Sequence, residues 1–351
     1  MVARVVRADA LTPEELTRWS AIRQSVPSLA SAYFSPIFTS IVASAREDVR
    51  VAILEDAGEP AGFFPFQRGR FGTGRPVGAS LSDFHAAVVA PGVSWDAQAL
   101  IRASGLKLWE FHHLLASQAP FEPFHQVRRD SMQIDLEAGF ETYLADVEPT
   151  HGHSMRHLRR KTRKLEREHG ELSFVHHDGD PAALETLFDW KADQYTKTGT
   201  VNILEQRWVR EVLGRVHAAQ SDDFQGLLSF ILAEGRPVAA HLGMRSAGVL
   251  HYWFPAYDPE FAPYSPGLIL LLKLAEASWA AGVDTIDLGT GDYEFKRMLM
   301  NRIVVVAEGA VETRSAIAQA VRVRRTAKTL IRRTGVAPSL RRIARWAPGS
   351  R

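Results

Sequence analysis

Asp287, Asp292, Tyr293 and Lys296 fall in one ten-residue stretch, broken by Gly289 and Gly291. A carboxylate can take a proton from an amine, a phenol can return one, and an ammonium can hold an anion or a polarised oxygen. Asp287 alternates with Ile286 and Leu288, so in a strand it points away from them. It reads either as a base facing a cleft or as the partner of a buried arginine. Tyr293 suits protonation of a leaving group, and Lys296 suits an anionic group of a sugar or nucleotide. A capped helix with a surface ion pair explains the same residues blandly, and both readings stand. His241 sits on an otherwise apolar run, Val238 to Met244, and is either an acid–base group or a packed core histidine. Asp83 and His85 form a second, weaker pair.

The stretch before this cluster would position it. His251 to Tyr257 is an aromatic, strand-like run, and Ser265-Pro266-Gly267-Leu268 follows it. A helical pattern then continues through Trp279 to Gly282, and Thr285 to Leu288 reads as a strand. Ser265 is a good N-cap, and Pro266 fits the first helical turn, where its missing N–H costs nothing. Gly267 lets a ligand approach the backbone. A helix start with free N–H groups can hold a diphosphate, although most such starts only cap a helix.

Composition narrows the class. The chain has 351 residues, room for two domains, with 46% hydrophobic and 23% charged residues, as in a globular protein. The absence of cysteine excludes disulfides and a cysteine nucleophile, and fits a cytoplasmic protein. The first residues lack a signal-peptide core, and Leu268 to Leu272 is too short an apolar run to span a bilayer. No spacing suits a metal. His151, His153 and His157 read as loop residues without an acidic partner, and the pairs His112-His113 and His176-His177 point to opposite faces of strands.

The expected fold is α/β (α+β). Residues 1–150 read as helices, then a hairpin around Asp56-Ala57-Gly58, then strand, helix and strand. Residues 151–313 read as β, α, α, β, β, β, α, β, α, β, with a hairpin around Glu234-Gly235. The shared order suggests a repeat of domain size. Gly139 to Asp146 is expected to be helical. So is Ser154 to His169, with Met155, Leu158, Thr162 and Leu165 as a thin stripe under Arg156, Arg159, Arg160, Lys161, Arg163, Lys164 and Arg167. That cationic face is either merely solvated or meets an anionic partner.

This order, with a capped helix after the third strand of a meander, resembles the Gcn5-related N-acetyltransferase (GNAT) fold. More narrowly, the chain is similar to the CelD/BcsL-type acetyltransferases of bacterial polysaccharide biosynthesis, relatives of the tandem-GNAT Fem transferases. The match is carried by Leu158 to Glu166, Ala240-His241-Leu242-Gly243, Tyr257-Asp258, Ser265-Pro266-Gly267, and Asp287-Leu288-Gly289 to Lys296. The usual glycine pair of the acyl-CoA loop is replaced by Glu260 to Gly267. The resemblance implies two tandem GNAT-like domains, each a mixed, mostly antiparallel sheet flanked by helices, the first degenerate and shaping an acceptor cleft. It implies acetyl-CoA or another acyl-CoA as co-substrate, held by Phe254, Ala256, Tyr257, Tyr264, Ser265, Pro266, Gly267 and Leu268. Catalysis would fall to His241, Asp287, Asp292, Tyr293 and Lys296, and the acceptor would meet Asp83, His85 and Trp253. The acceptor implied is an amino sugar or lipid-linked saccharide. A Fem-like reaction would use aminoacyl-tRNA instead. A non-catalytic binder of an anionic ligand is the reading from another class.

The tail, residues 314–351, is rich in Arg and Lys and has no Asp or Glu. It reads as a basic helix, either packed on the acidic body or bound to an anionic membrane surface or a cyclic dinucleotide. Membrane binding would put the protein on the inner face of the cell membrane.

Overall fold

A computed structural model describes residues 2–313. The basic tail, with the readings attached to it, lies outside the described residues. The first half contains β1 (Val2–Arg7), α1 (Pro13–Gln24), α2 (Pro36–Ala45), β2 (Val49–Asp56), β3 (Glu59–Arg68), β4 (Thr73–Arg75), β5 (Val88–Val89), α3 (Ala97–Ala103), β6 (Leu108–Leu115) and β7 (His125–Asp135). The long helix α4 (Phe140–His169) leads to β8 (Leu172–Val175), α5 (Pro181–Thr198), α6 (Arg207–Ala218), β9 (Gln220–Ser221), β10 (Phe224–Ala233), β11 (Arg236–Ser246) and β12 (Val249–Tyr257). After them come α7 (Pro266–Ala280), β13 (Thr285–Thr290), α8 (Glu294–Leu299) and β14 (Arg302–Glu312). The expected order of the second half is met, with the two-residue β9 added before β10.

Local chemistry explains these elements. Thr12 and Glu15 form a reciprocal capping box around Pro13 at the start of α1. The β2–β3 hairpin turns at Ala57 and Gly58, both at positive φ, which matches the strand twist. All the strands join one mostly antiparallel sheet, ordered β1-β2-β3-β4-β6-β14-β7-β13-β12-β11-β10-β8, with β5 on β3 and β9 on β10. The halves interlock: β14, the last strand among the described residues, lies between β6 and β7, and β7 also pairs with β13.

One face of the sheet carries a core that runs across both halves. Trp19, Phe38 and Phe63 of the first half share it with Leu187, Val212, Leu228 and Phe254 of the second. Arg23 of α1, whose side chain is fully buried, pairs with Asp223 before β10 and ties the halves again. The opposite face of the second half is covered by α4, α7 and α8, through Tyr143, Met155, Leu271 and Leu299.

Two expectations need correction. Residues 140–169 form one helix, where two separate ones with a loop were expected. Pro149 lies between the two, where a proline removes a backbone hydrogen bond. Tyr143, Val147, Met155 and Leu158 are all buried, so packing carries the helix across the proline. His151, His153 and His157, expected in a loop, are therefore helical. Ser265, expected to cap α7 with its hydroxyl, does not: it is left-handed (φ 57°) and makes no side-chain cap.

Candidate active site

β12 and β13 are parallel neighbours whose pairing runs only from Val249–Thr285 to His251–Asp287. β12 then continues to Tyr257 beside β11, while β13 continues to Thr290. The strands part, and beyond their divergence lies a cleft of about 330 Å³ lined by Tyr252, Ala256, Tyr257, Ser265, Pro266, Gly267, Leu268 and Phe295, among others. The start of α7 forms one wall. The Leu268 and Ile269 amides fold back onto the Ser265 carbonyl at 3.0 and 3.4 Å. A Cβ added at Gly267 would meet only Tyr257 Cδ1, at 4.0 Å, so the backbone there faces open space. The freed Ser265 hydroxyl accepts from Lys161 Nζ at 2.8 Å. A helix N-terminus and an ammonium thus converge at the mouth of the cleft, the combination that holds phosphate groups.

The second cluster is built around Asp287. Its carboxylate is buried and accepts from Gln133 Nε2 (2.7 Å), the Gly289 amide (2.8 Å) and Ser131 Oγ (3.1 Å). His251 Nδ1 stands 3.8 Å away, and the other nitrogen of that ring is 2.7 Å from Ser31 Oγ. Asp287 therefore anchors strands from both halves. Lys296, also buried, donates to the carbonyls of Gly289 (3.1 Å) and Thr290 (2.6 Å). Gly289 is at φ 73°, and a Cβ there would lie 3.5 Å from Asp83 Oδ2 and 3.7 Å from Lys296 Nζ. Glycine at this turn brings the two side chains together across the backbone. His113 closes the group, with Nδ1 3.6 Å from Asp83 Oδ1 and Nε2 3.1 Å from Thr290 Oγ1.

Burial sets the charges here. It raises Asp83 to about 7, with the Asp287 charge adding to the rise and Lys296 opposing it. Burial lowers Lys296, against the pull of Asp83 and Asp287. Burial and neighbouring His112 hold His113 down at about 4, so it is neutral near pH 7. Asp83, still about a third exposed (36%), is thus a carboxylate that titrates near neutrality beside a buried ammonium. That pairing suits general base catalysis.

The structure brings Asp83, Asp287 and Lys296 together and places Ala256, Tyr257 and Ser265 to Leu268 along the cleft. Tyr293 is exposed at the edge of this cluster, its ring centre 5.4 Å from Lys296 Nζ. Asp292 is on the surface, 3.1 Å from Arg297 in an ion pair. Tyr264 donates to Glu168 Oε2 (2.6 Å) and tethers the end of α4. Phe254 packs into the shared core. Trp253 Nε1 donates to the Leu81 carbonyl (2.9 Å), which fastens β12 to the first half. His85 is buried with its ring edge-on to His112 and is held neutral by burial. His241 is buried, stacks on Tyr252 at 4.5 Å, and accepts the Trp253 amide through Nε2 at 3.3 Å. It fills the bulge where the β11–β12 register shifts, between Leu242 and Met244, and burial pushes it down to about 3.

Other residues that the sequence did not single out as site groups are His113, His251, Lys161 and Lys191. Lys191 on α5 is half-buried and donates to the Pro255 carbonyl at 2.8 Å, next to the cleft, and burial lowers it to about 8. Its signal is a lysine on the α5 face that meets β12. His113 carries no local signal, because its left-handed backbone (φ 54°) within β6 turns its ring toward Thr290.

Residues 152–297 match the family described as acetyltransferase (GNAT) domain. The structure of FemX superposes with a TM-score of 0.60 at 11% identity, over 92% of this chain and all of that one. A conserved protein of unknown function from Bacteroides thetaiotaomicron gives 0.54 at 10%, over 89% of this chain and all of that one. The C-terminal domain of a putative lysylphosphatidylglycerol synthetase from Agrobacterium fabrum gives 0.52 at 13%, over 88% and 94%. At these identities the likeness is one of fold. No curated protein matches by sequence. Residues 152–297 thus resemble a GNAT acetyltransferase domain, and the chain has a GNAT-like fold.

Proposed function

We propose that this protein moves an acyl group, acetyl in the simplest case, from acyl-CoA to the amine of an amino sugar in a surface-polysaccharide precursor, as the CelD/BcsL-type resemblance implies. The observation that carries the reading is the parting of β12 and β13 at His251 and Asp287, with an anion-holding helix start at the cleft and a titratable carboxylate in the adjoining cluster. In this reading the α7 start and Lys161 hold the diphosphate, and the thioester reaches into the gap. Asp83 takes the proton from the acceptor ammonium. The freed amine attacks the thioester carbon, the C–S bond breaks as the amide forms, and the second proton shed by the nitrogen goes to the departing thiolate. The Lys296 charge steadies Asp83 in its ionised form. A lipid-linked saccharide as acceptor would put the chain on the inner face of the cell membrane.

The test is thiol release from acetyl-CoA in the presence of hexosamines and their nucleotide-linked forms, with product mass measured. An amine-dependent mass gain of one acetyl group is expected. Thiol release without acylated amine across such acceptors would contradict the reading. A second reading keeps the fold but takes aminoacyl-tRNA as donor, favoured by the cationic face of α4 reaching the cleft through Lys161. Binding of charged tRNA that weakens steeply with salt would support it.

A further inference from the structure

A second groove, of about 410 Å³, runs between α4 and α7 and shares no lining residue with the donor cleft. Its floor is apolar: Phe140, Leu144, Met155, Leu158, Ile269 and Leu272. Its rim holds Arg159, Arg163 and Lys273, with Glu276 as the one carboxylate. Arg159 and Arg163 stand one helical turn apart, both exposed. Like charges at that spacing destabilise a helix unless an anion lies between them. Arg159 reaches Glu148 at 2.6 Å and Lys273 reaches Glu276 at 3.2 Å. Among the described residues no ion pair engages Arg163. Trp279, one turn beyond Glu276, is 46% exposed and lies against Gly139, next to Phe140.

Arginines alone would take any polyanion, and an apolar floor alone any hydrophobe. A groove with both, ended by an exposed tryptophan, fits a molecule with an anionic head and a hydrocarbon chain. Tryptophan also favours the water–lipid boundary. A nucleic-acid backbone would satisfy the arginines but leave the floor unfilled, with one aromatic residue available to stack bases. We propose that the α4–α7 groove binds an anionic phospholipid, its phosphate on Arg159 and Arg163 and an acyl chain along the floor, and so seats this face of the chain on a membrane surface. The proposal does not depend on which donor or acceptor the active site uses.

The test is co-sedimentation of the full chain with phosphatidylglycerol–phosphatidylcholine vesicles and with phosphatidylcholine vesicles. Strong binding to the first and little to the second is expected. The double variant R159Q/R163Q should bind the anionic vesicles about 30-fold more weakly, as the loss of two cations near such a surface implies. Trp279→Ser should weaken binding severalfold with the salt dependence unchanged. Acetyl-CoA binding by the same variants, measured by calorimetry, shows that they are folded and separates a failure here from a failure of the acyl-transfer reading. Variants that sediment like the parent chain would place binding in the basic tail and overturn the proposal. So would equal binding to neutral vesicles, no binding to either, or tRNA binding that R159Q/R163Q abolishes and Trp279→Ser leaves intact.

Discussion

Asp83→Asn is the most informative perturbation of the proposed chemistry. If Asp83 is the base, the rate follows its ionised fraction. With a pKa of about 7, that fraction is about 0.09 at pH 6 and about 0.91 at pH 8, so the rate climbs about tenfold over that interval. Asparagine cannot take the proton. The rate at pH 8 should fall by about 10²–10⁴, and the rising limb should vanish. The neighbours give signs that a merely structural role would not. Lys296 lowers the Asp83 pKa, so Lys296→Met should move the parent limb to higher pH. Asp287 raises it, so Asp287→Asn should move the limb to lower pH. Stability provides an independent check. Asp83 binds its proton more tightly in the folded state than its ordinary value of 3.8 allows. The stability linked to that proton is therefore complete below about pH 4 and lost as pH rises through about 7. Asparagine removes the penalty, so its melting temperature relative to the parent should be higher at pH 8 than at pH 4. The assay is steady-state thiol release from pH 5.5 to 9, with melting curves at the two ends. A variant at Asp83 that keeps the parental rate and the limb would refute the assignment.

Three further outcomes follow. Lys161→Met should weaken acyl-CoA binding about tenfold in titration calorimetry, since a charge-assisted contact to phosphate is worth about 1.5–3 kcal/mol at best and this one is partly exposed. The loss should shrink at high salt. His241→Ala empties the β-bulge and orphans the Trp253 amide; it should cost about 2–4 kcal/mol in denaturant unfolding, and the pH limb of the folded fraction should stay where it was. Arg23→Ala strands Asp223 at the junction of the halves and should cost about 3 kcal/mol, the low end for a broken buried pair because Asp223 is partly exposed, with a single unfolding transition shifted as a whole.

The parts of this site that lie close in sequence were legible beforehand. The strand, Ser-Pro-Gly start, helix and strand from His251 to Leu288 all appear where their pattern put them, because each rests on local rules of proline placement and alternation. Asp287 and Lys296 follow from that frame. What brings them a partner is the sheet order, which threads β14 between β6 and β7 and sets Asp83 and His113 of the first half against Gly289 and Thr290. No local pattern encodes a contact across two hundred residues. The same holds for Lys161 and Ser265. The basic stretch and the helix start were each visible, but their contact depends on α4 continuing past Pro149 as one helix against α7. His241 illustrates the opposite problem. A histidine on an apolar strand is ambiguous until the β-bulge it fills is seen, and only the β11–β12 register reveals that bulge.

The central claim is that the opening of α7 is a diphosphate site of an acyl-CoA transferase, and calorimetry with acetyl-CoA tests it most directly. The intact chain is compared with Gly267→Glu, a change that puts a carboxylate at the helix start where a Cβ meets nothing closer than 4.0 Å. Binding by the intact chain is expected, with its loss, by a hundredfold or about 3 kcal/mol, in a variant whose melting curve is unchanged. Acetyl-CoA bound equally by both chains, or by neither, would contradict it.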